Sequence, residues 1–280
     1  MIDISKKNAA TIANKKFGQN FLSDENILRQ IIEAMPKNSR DVVEIGPGLG
    51  DLTRQLIQVK ENVIAYEVDT RLCEYLKNEF KEAIDSGSFK LICQDIMEQN
   101  ASLHNKEYDL VANLPYYIAT NIILKALHDS NCKTILVMVQ REVAQKFAAQ
   151  PGEKHFGSLA ILSQSVAKVE HLFDVPPEAF TPPPKVTSAV LKIEKQESLK
   201  SSDFEDFLRI ATKQPRKTLY KNLSTSYPKN FLQNIFEEAN IPLNIRPHQL
   251  ELSVYHHLYK VIKDGIDGER EQLRKDRTSK

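Results

Sequence analysis

"EIGPGLGDLT", residues 44–53, follows the apolar run "DVV" and leads into the helical pattern "LTRQLIQ". Gly46, Gly48 and Gly50 let the backbone turn tightly and approach a ligand where a Cβ would collide. The stretch therefore reads as strand, turn and helix. The same unit recurs outward from it. "NVIAYEVD" (62–69), "FKLICQD" (89–95), "YDLVANLP" (108–115) and "TILVMVQ" (134–140) are short runs rich in Val and Ile. Helical patterns such as "RLCEYLKNEF" and "TNIILKALH" separate them. Strands alternating with helices predict right-handed crossovers and a mostly parallel sheet covered on both faces. Two further strands, near 168–175 and 186–194, follow a helical stretch at 157–167 and bring the sheet to seven strands. Upstream, "DENILRQIIEAM" (24–35) puts Ile27, Leu28, Ile31, Ile32 and Met35 on one helical face, with Ser23 as N-cap and Pro36 as the stop.

The character changes after "KQESLKSS" (195–202). Short helices are expected near 203–213, 216–224, 229–239 and 250–263, with no strand-like run. The expected organisation is an N-terminal arm plus α/β domain over 1–198 and a small all-α domain over 199–280. The final stretch "DGIDGEREQLRKDRTSK" is expected to be a frayed helix or disordered tail. The chain of 280 residues is 41% hydrophobic, has no apolar run of 18 to span a membrane, and starts without a secretory signal. A cytoplasmic protein is expected. Cys73, Cys93 and Cys132 form neither a disulfide framework nor a CxxC pair, and are expected to be packing residues. The seven histidines show no ligand spacing, so no metal is expected. Net charge is only +1, but Lys6, Lys7, Lys15 and Lys16 cluster early, and Arg209, Lys213, Arg216, Lys217 and Lys221 cluster late with no acid between. Such clusters suit phosphates as well as plain solvation.

A dinucleotide fingerprint, G-x-G-x-x-G, would need glycine at Asp51 and so fails. The spacing E-x-G-x-G-x-G from Glu44 instead resembles the first motif of S-adenosylmethionine-dependent methyltransferases. Glu67 ends the second strand, where a carboxylate can accept both ribose hydroxyls, and Asp95 ends the third, where it can accept from an adenine amino group. Asp69 is expected one step outside, capping the next helix.

"NLPY" (113–116) ends the fourth strand beside the same crevice. It resembles the (N/D)PP(Y/F) signature of methyltransferases that modify exocyclic amino groups. An adenine N6 lone pair is delocalised into the ring and is a poor nucleophile. The Asn113 side-chain oxygen and the Leu114 carbonyl can accept its two hydrogens and aim the nitrogen, Pro115 fixes the backbone, and Tyr116 can stack on the base. The base must first leave its stack.

Four more segments narrow the resemblance. "KKFGQNFLSD" (15–24), "VQREVAQKF" (139–147), "VPPEAFTPPPKVTSAVLKI" (175–193) and "PRKTLYKNL" (215–223) occur in the order seen in KsgA-type ribosomal RNA adenine dimethyltransferases, over nearly the whole chain. The resemblance implies a Rossmann-like S-adenosylmethionine-dependent domain with an rRNA-binding helical domain. It implies N6,N6-dimethylation of two adjacent adenosines near the 3′ end of small-subunit (16S) rRNA within a pre-ribosomal particle, by a monomer with no metal and no membrane contact. Asn20 and the Leu22 backbone would contact the donor, with Gly46, Gly48, Glu67, Asp95 and Asn113. Phe180 would sandwich the adenine against Tyr116, or plug the core. Arg216, Lys217 and Lys221 would contact rRNA phosphates. Tyr117 stands where the family pattern has Asn, Ser158 where it has Arg, Thr187 where it has Asp, and Pro215 interrupts a longer helix. A large-subunit rRNA adenine methyltransferase of the macrolide-resistance type, a non-catalytic RNA-binding assembly or transcription factor, and a small-molecule N-methyltransferase are the alternatives.

Overall fold

The computed structural model describes residues 9–14, 18–99, 102–199 and 202–278, with side chains to residue 266. Lys6, Lys7, Lys15 and Lys16 of the expected basic arm lie outside the described residues. In chain order the elements begin with α1 (Ala9–Ile12), β1 (Phe21–Leu22), α2 (Glu25–Ala34), β2 (Asp41–Ile45), α3 (Asp51–Val59), β3 (Val63–Glu67) and α4 (Thr70–Glu79). Next come α5 (Lys81–Ser86), β4 (Phe89–Cys93), β5 (Tyr108–Asn113), α6 (Ala119–His128), β6 (Cys132–Gln140), α7 (Arg141–Ala148), α8 (Ser158–Gln164) and β7 (Ala167–Val175). The chain ends with β8 (Phe180–Thr181), β9 (Ser188–Lys195), α9 (Ser202–Ala211), α10 (Leu219–Leu223), α11 (Lys229–Glu238) and α12 (Leu252–Thr278).

Two compact units result, Met1–Ala148 with Val166–Leu199, and Ala149–Ser165 with Lys200–Lys280. The first holds a seven-stranded sheet in the order β4–β3–β2–β5–β6–β9–β7. Pairings from β4 to β6 are parallel, and β9 runs antiparallel to both β6 and β7. The mostly parallel seven-stranded α/β sheet expected from the sequence is thus present. Its central strands lack polar alternation because both faces are covered: Val42, Val43, Leu110, Val111 and Ile135 are 0% exposed. From β2 the chain builds outward to β3 and β4, then returns to β5 on the other side of β2. That reversal leaves a crevice at the carboxyl ends of β2 and β5, the usual ligand position in an open α/β sheet.

Several local expectations are corrected. Asp24, not Ser23, caps α2, accepting from the Asn26 and Ile27 amides at 2.8 and 3.1 Å. Ser23 is occupied elsewhere, its N–H donating to the Ala179 carbonyl at 3.0 Å. Cys73 and Cys93 are paired as a disulfide rather than being separate packing residues, whereas Cys132 is free and buried. Cys73 lies on α4 and Cys93 at the end of β4, and the packing of α4 against β4 brings their Cα atoms to 6.1 Å despite a separation of 20 residues. The short strands β1 and β8 form a separate antiparallel ribbon, Leu22 opposite Phe180, with no alternation in the sequence to announce it.

The second unit is helical, with no strand among its described residues. Phe207, Leu208, Leu219, Leu223, Phe236, Tyr255 and Leu258 form its buried interior. Residues 149–165 group with it although a single cut near 198/199 was expected. The reason is that α8 brings buried Ala160 and Ile161 to this unit, and Ser165 bonds His256 at 2.9 Å. The last helix continues to Thr278 rather than ending near 263.

Candidate active site

Two adjoining cavities of about 590 and 450 Å³ open at the carboxyl ends of β2, β3 and β5. The larger is lined by Asn20, Leu22, Glu44, Gly46, Gly48 and the run Asn113–Tyr116. The smaller is lined by Gln19, Gly46, Glu67, Asp95, Pro115 and Tyr117, among others. Gly46 and Pro115 belong to both, so the glycine turn and the β5 corner form one continuous wall.

The turn after β2 works by omission of side chains. Gly48 has φ +62°, and a Cβ there would lie 2.9 Å from the Phe21 ring. Its amide points at the Glu67 carboxylate, donating to Oε2 at 3.3 Å. Glu67 Oε1 accepts from the Val68 and Asp69 amides at 2.9 Å each, which fixes the carboxylate at the mouth of β3. Burial is the main reason its pKa is pushed up to about 7, against the lowering effect of these amides. Asp69 occupies the position expected for it, the N-cap of α4, accepting from the Arg71 amide. Burial pushes its pKa up, but bonds from Arg71 and Gln19 outweigh that and hold it below the usual carboxylate range. Asp95 caps the turn Ile96–Glu98 through Oδ1, which accepts from the Met97 amide at 2.9 Å. Among the described residues its Oδ2 accepts no hydrogen bond.

On the other side, the Asn113 amide nitrogen donates to the Asn20 carbonyl at 3.2 Å. With its NH2 engaged there, the side-chain oxygen is the group available to accept. The Leu114 N–H is used by the Met138 carbonyl at 3.0 Å, which ties the corner to β6. Tyr116 is half-buried, and its hydroxyl shares a 2.5 Å hydrogen bond with Ser188 Oγ. Glu44, 1% exposed, accepts from Thr53 Oγ1 at 2.7 Å. Its carboxyl is pushed up to about 8, first by burial and then by the neighbouring Glu67, with Thr53 opposing.

The structure thus brings together Asn20, Leu22, Gly46, Gly48, Glu67, Asp95, Asn113, Leu114, Pro115 and Tyr116. It does not bring Phe180 over the pocket. Phe180 pairs with Leu22 and its side chain is 3% exposed in the core with Leu28, Ile31 and Val190. Of the two readings the sequence left open, the core plug is the arrangement seen. Arg216, Lys217 and Lys221 lie in the second unit, where all three are exposed. Asn222 fixes the turn that carries Arg216 and Lys217, exchanging hydrogen bonds with the Gln214 amide and carbonyl at 3.0 and 3.1 Å. Arg209, counted among the basic cluster, is paired with Asp206 at 2.7 Å. Ser188 and Gln19 were not singled out by their sequence; only their neighbours were. No group of metal-ligating side chains and no membrane-length apolar helix occurs among the described residues.

A family model described as Ribosomal RNA adenine dimethylase matches residues 10–264. The chain is 55% identical to Ribosomal RNA small subunit methyltransferase A of Sulfurimonas denitrificans, over 93% of this chain and 97% of that protein. It is 46% identical to the protein of the same name from Helicobacter hepaticus, over 93% and 95% of the two chains. Among solved structures, a dimethyladenosine transferase from Plasmodium falciparum superposes with a TM-score of 0.73 at 26% identity, covering 89% of this chain and 98% of its own. The 23S rRNA methyltransferase ErmE superposes with a TM-score of 0.68 at 22% identity, covering 87% and 100%, and so shares the fold.

Proposed function

We propose that this chain, which belongs to the ribosomal RNA adenine dimethylase family, uses S-adenosylmethionine to dimethylate the N6 amino groups of two adjacent adenosines near the 3′ end of small-subunit rRNA. That it is a methyltransferase of small-subunit rRNA follows from relatives 55% and 46% identical over nearly its whole length. The likeness to ErmE is one of fold. The observation that carries the dimethylation reading is the shared wall of the two cavities. It sets the acceptor corner Asn113–Tyr116 directly beside the glycine turn and Glu67.

The residues present fit the donor. Glu67 is anchored by backbone amides and can accept ribose hydroxyls, Asp95 has a free oxygen for an amino group, and Val68, Ile96, Pro115 and Ile118 supply apolar walls. Asn20, Gly46 and Gly48, which line the larger cavity, would hold the methionine portion of the donor. When bound, S-adenosylmethionine supplies a methyl group already activated by its sulfonium. The chain therefore needs no strong base. Asn113 Oδ1 and the Leu114 carbonyl accept the two amino hydrogens and favour the positive charge that develops on nitrogen. The surplus proton leaves to water. Tyr116 holds the flipped ring in line, so that rate comes from positioning and electrostatics. Arg216, Lys217 and Lys221 add phosphate contacts without base specificity. We further propose a monomer acting in the cytoplasm on a pre-ribosomal particle.

The test is a nuclease digest of rRNA after incubating under-methylated small subunits with the donor. Dimethyladenosine is expected in small-subunit rRNA with the native chain. The Asn113→Ala variant is expected to remain folded and yield none. Product confined to large-subunit rRNA, or donor binding without product, would overturn the reading.

A further inference from the structure

The family pattern leaves Tyr117 without a role, since Asn is usual at that position. Its surroundings differ sharply from those of Tyr116. Tyr116 is tethered to Ser188 and lines the larger cavity, whereas Tyr117 is 59% exposed and lines only the smaller one. Among the described residues its hydroxyl makes no hydrogen bond. The ring lies along the backbone of Gly18, where a Cβ would come within 3.7 Å of Tyr117 Cδ1. Gln19, the next residue, is also part of that wall. Tyr66, the other aromatic residue of the cavity, is 6% exposed and spends its hydroxyl on the Leu103 carbonyl. Tyr117 is therefore the ring at the mouth. Facing it are the two carboxylates Glu67 and Asp95 and the apolar side chains of Ile96, Pro115 and Ile118.

We propose that Tyr117 is a donor-binding residue, its ring closing the exposed side of the cavity by packing on the nucleoside of the methyl donor. The inference rests on the donor reading above and extends it. A purine in the cavity meets apolar groups on one side, and without Tyr117 its other side would face water. Stacking a base on an aromatic ring typically strengthens binding by about tenfold or more. Burial first, then Asp95 and Glu67, raise the Tyr117 phenol above its ordinary value, which agrees with a ring close to both acids. The phenol stays neutral at physiological pH, so the ring and not the charge is what the site uses.

The test is direct titration of the full chain with S-adenosylhomocysteine and with methylthioadenosine, which keeps the nucleoside but lacks the amino-acid end. Tyr117→Phe should bind both within about twofold of the native chain, whereas Tyr117→Asn and Tyr117→Ala should bind both about tenfold more weakly. Equal factors for the two ligands are expected because the contact is with the nucleoside alone. The native chain contains no tryptophan, so Tyr117→Trp gives a single reporter whose emission should change on saturation with methylthioadenosine. Unaltered affinity in the Asn and Ala variants overturns the inference, as does a loss confined to S-adenosylhomocysteine. A raised KM for rRNA with donor affinity intact would assign the ring to the substrate instead and also overturn it. If the native chain bound neither ligand, the donor reading itself would fall, an outcome distinct from variants that bind as the native chain does.

Discussion

The Tyr116–Ser188 pair shows what a single hydroxyl does in this site. Tyr116 can stack on a base only if its ring is held, and the 2.5 Å bond to Ser188 at the start of β9 is the tether. Ser188→Ala should lower kcat severalfold with little change in the donor dissociation constant. In a Tyr116→Phe background the same change should do nothing more, because the bond is already gone. Additive losses measured in that cycle would rule out the tether. Glu67 carries a second prediction. On the donor reading ribose hydroxyls donate to its ionised form, yet burial pushes its pKa up to about 7. Donor affinity should therefore fall as pH drops through that value, approaching about tenfold per pH unit below it. Titration calorimetry between pH 5.5 and 8.5, in a Glu44→Gln background to remove the neighbouring titration, should show this slope. Glu67→Gln should bind weakly and without it. That Glu67, Asp95 and Asn113 face the crevice was readable from sequence because each stands at a strand end. Ser188 was not, since a serine opening a strand carries no local signal and its partner lies 72 residues away.

At the scale of elements, the same contrast separates what patterns reveal from what only packing decides. The central strands announce themselves as apolar runs, and α2 by its periodic face. The ribbon of β1 and β8 is too short for any period to register, so Phe180 could not be placed until its pairing with Leu22 was known. The Cys73–Cys93 pair likewise depends on α4 packing against the end of β4. The glycine turn has a packing role that its motif does not express. Gly50 caps α3 with φ +79°, and a Cβ there would sit 2.5 Å from the ring of Phe80, at the junction of α4 and α5. Phe80 is 7% exposed and packed edge-on to Phe89 at 5.3 Å, so it has little room to yield. Gly50→Ala should destabilise the chain by roughly 2–4 kcal/mol, from left-handed backbone strain plus overpacking. A thermal midpoint equal to the native value would show that the ring moves freely. The third glycine of the motif thus serves α3 and its neighbour as much as any ligand.

For the whole molecule, two properties follow from where charge is placed in each unit. In the first, Glu44 is buried with its pKa at about 8, against an ordinary 4.5. The folded chain keeps a proton that the unfolded chain releases, so the stability this group contributes is complete below about pH 4.5 and is lost as pH rises through about 8. Glu44→Gln mimics the protonated acid and should flatten this dependence. Between pH 5 and 8.5 the native chain should lose on the order of a few kcal/mol more than the variant in donor-free unfolding, and parallel curves would exclude Glu44 as the cause. The second unit was legible as four short helices with a basic stretch. How its cations are partnered had to await the structure: Arg209, Arg216, Lys217 and Lys221 are all exposed, and Arg209 forms a surface ion pair with Asp206. A net charge of +1 for the chain therefore conceals a local cationic turn. If those three side chains each meet a phosphate, removing them releases fewer counterions on binding. The slope of log affinity against log salt should become shallower by about 2 in the triple alanine variant, from roughly 0.7–0.9 per contact. Affinity should fall alike for matched and scrambled RNA, since phosphate contacts carry no sequence information. An unchanged salt slope, measured by filter binding over a salt series, would remove these residues from the RNA interface and move that role to other basic side chains of the chain.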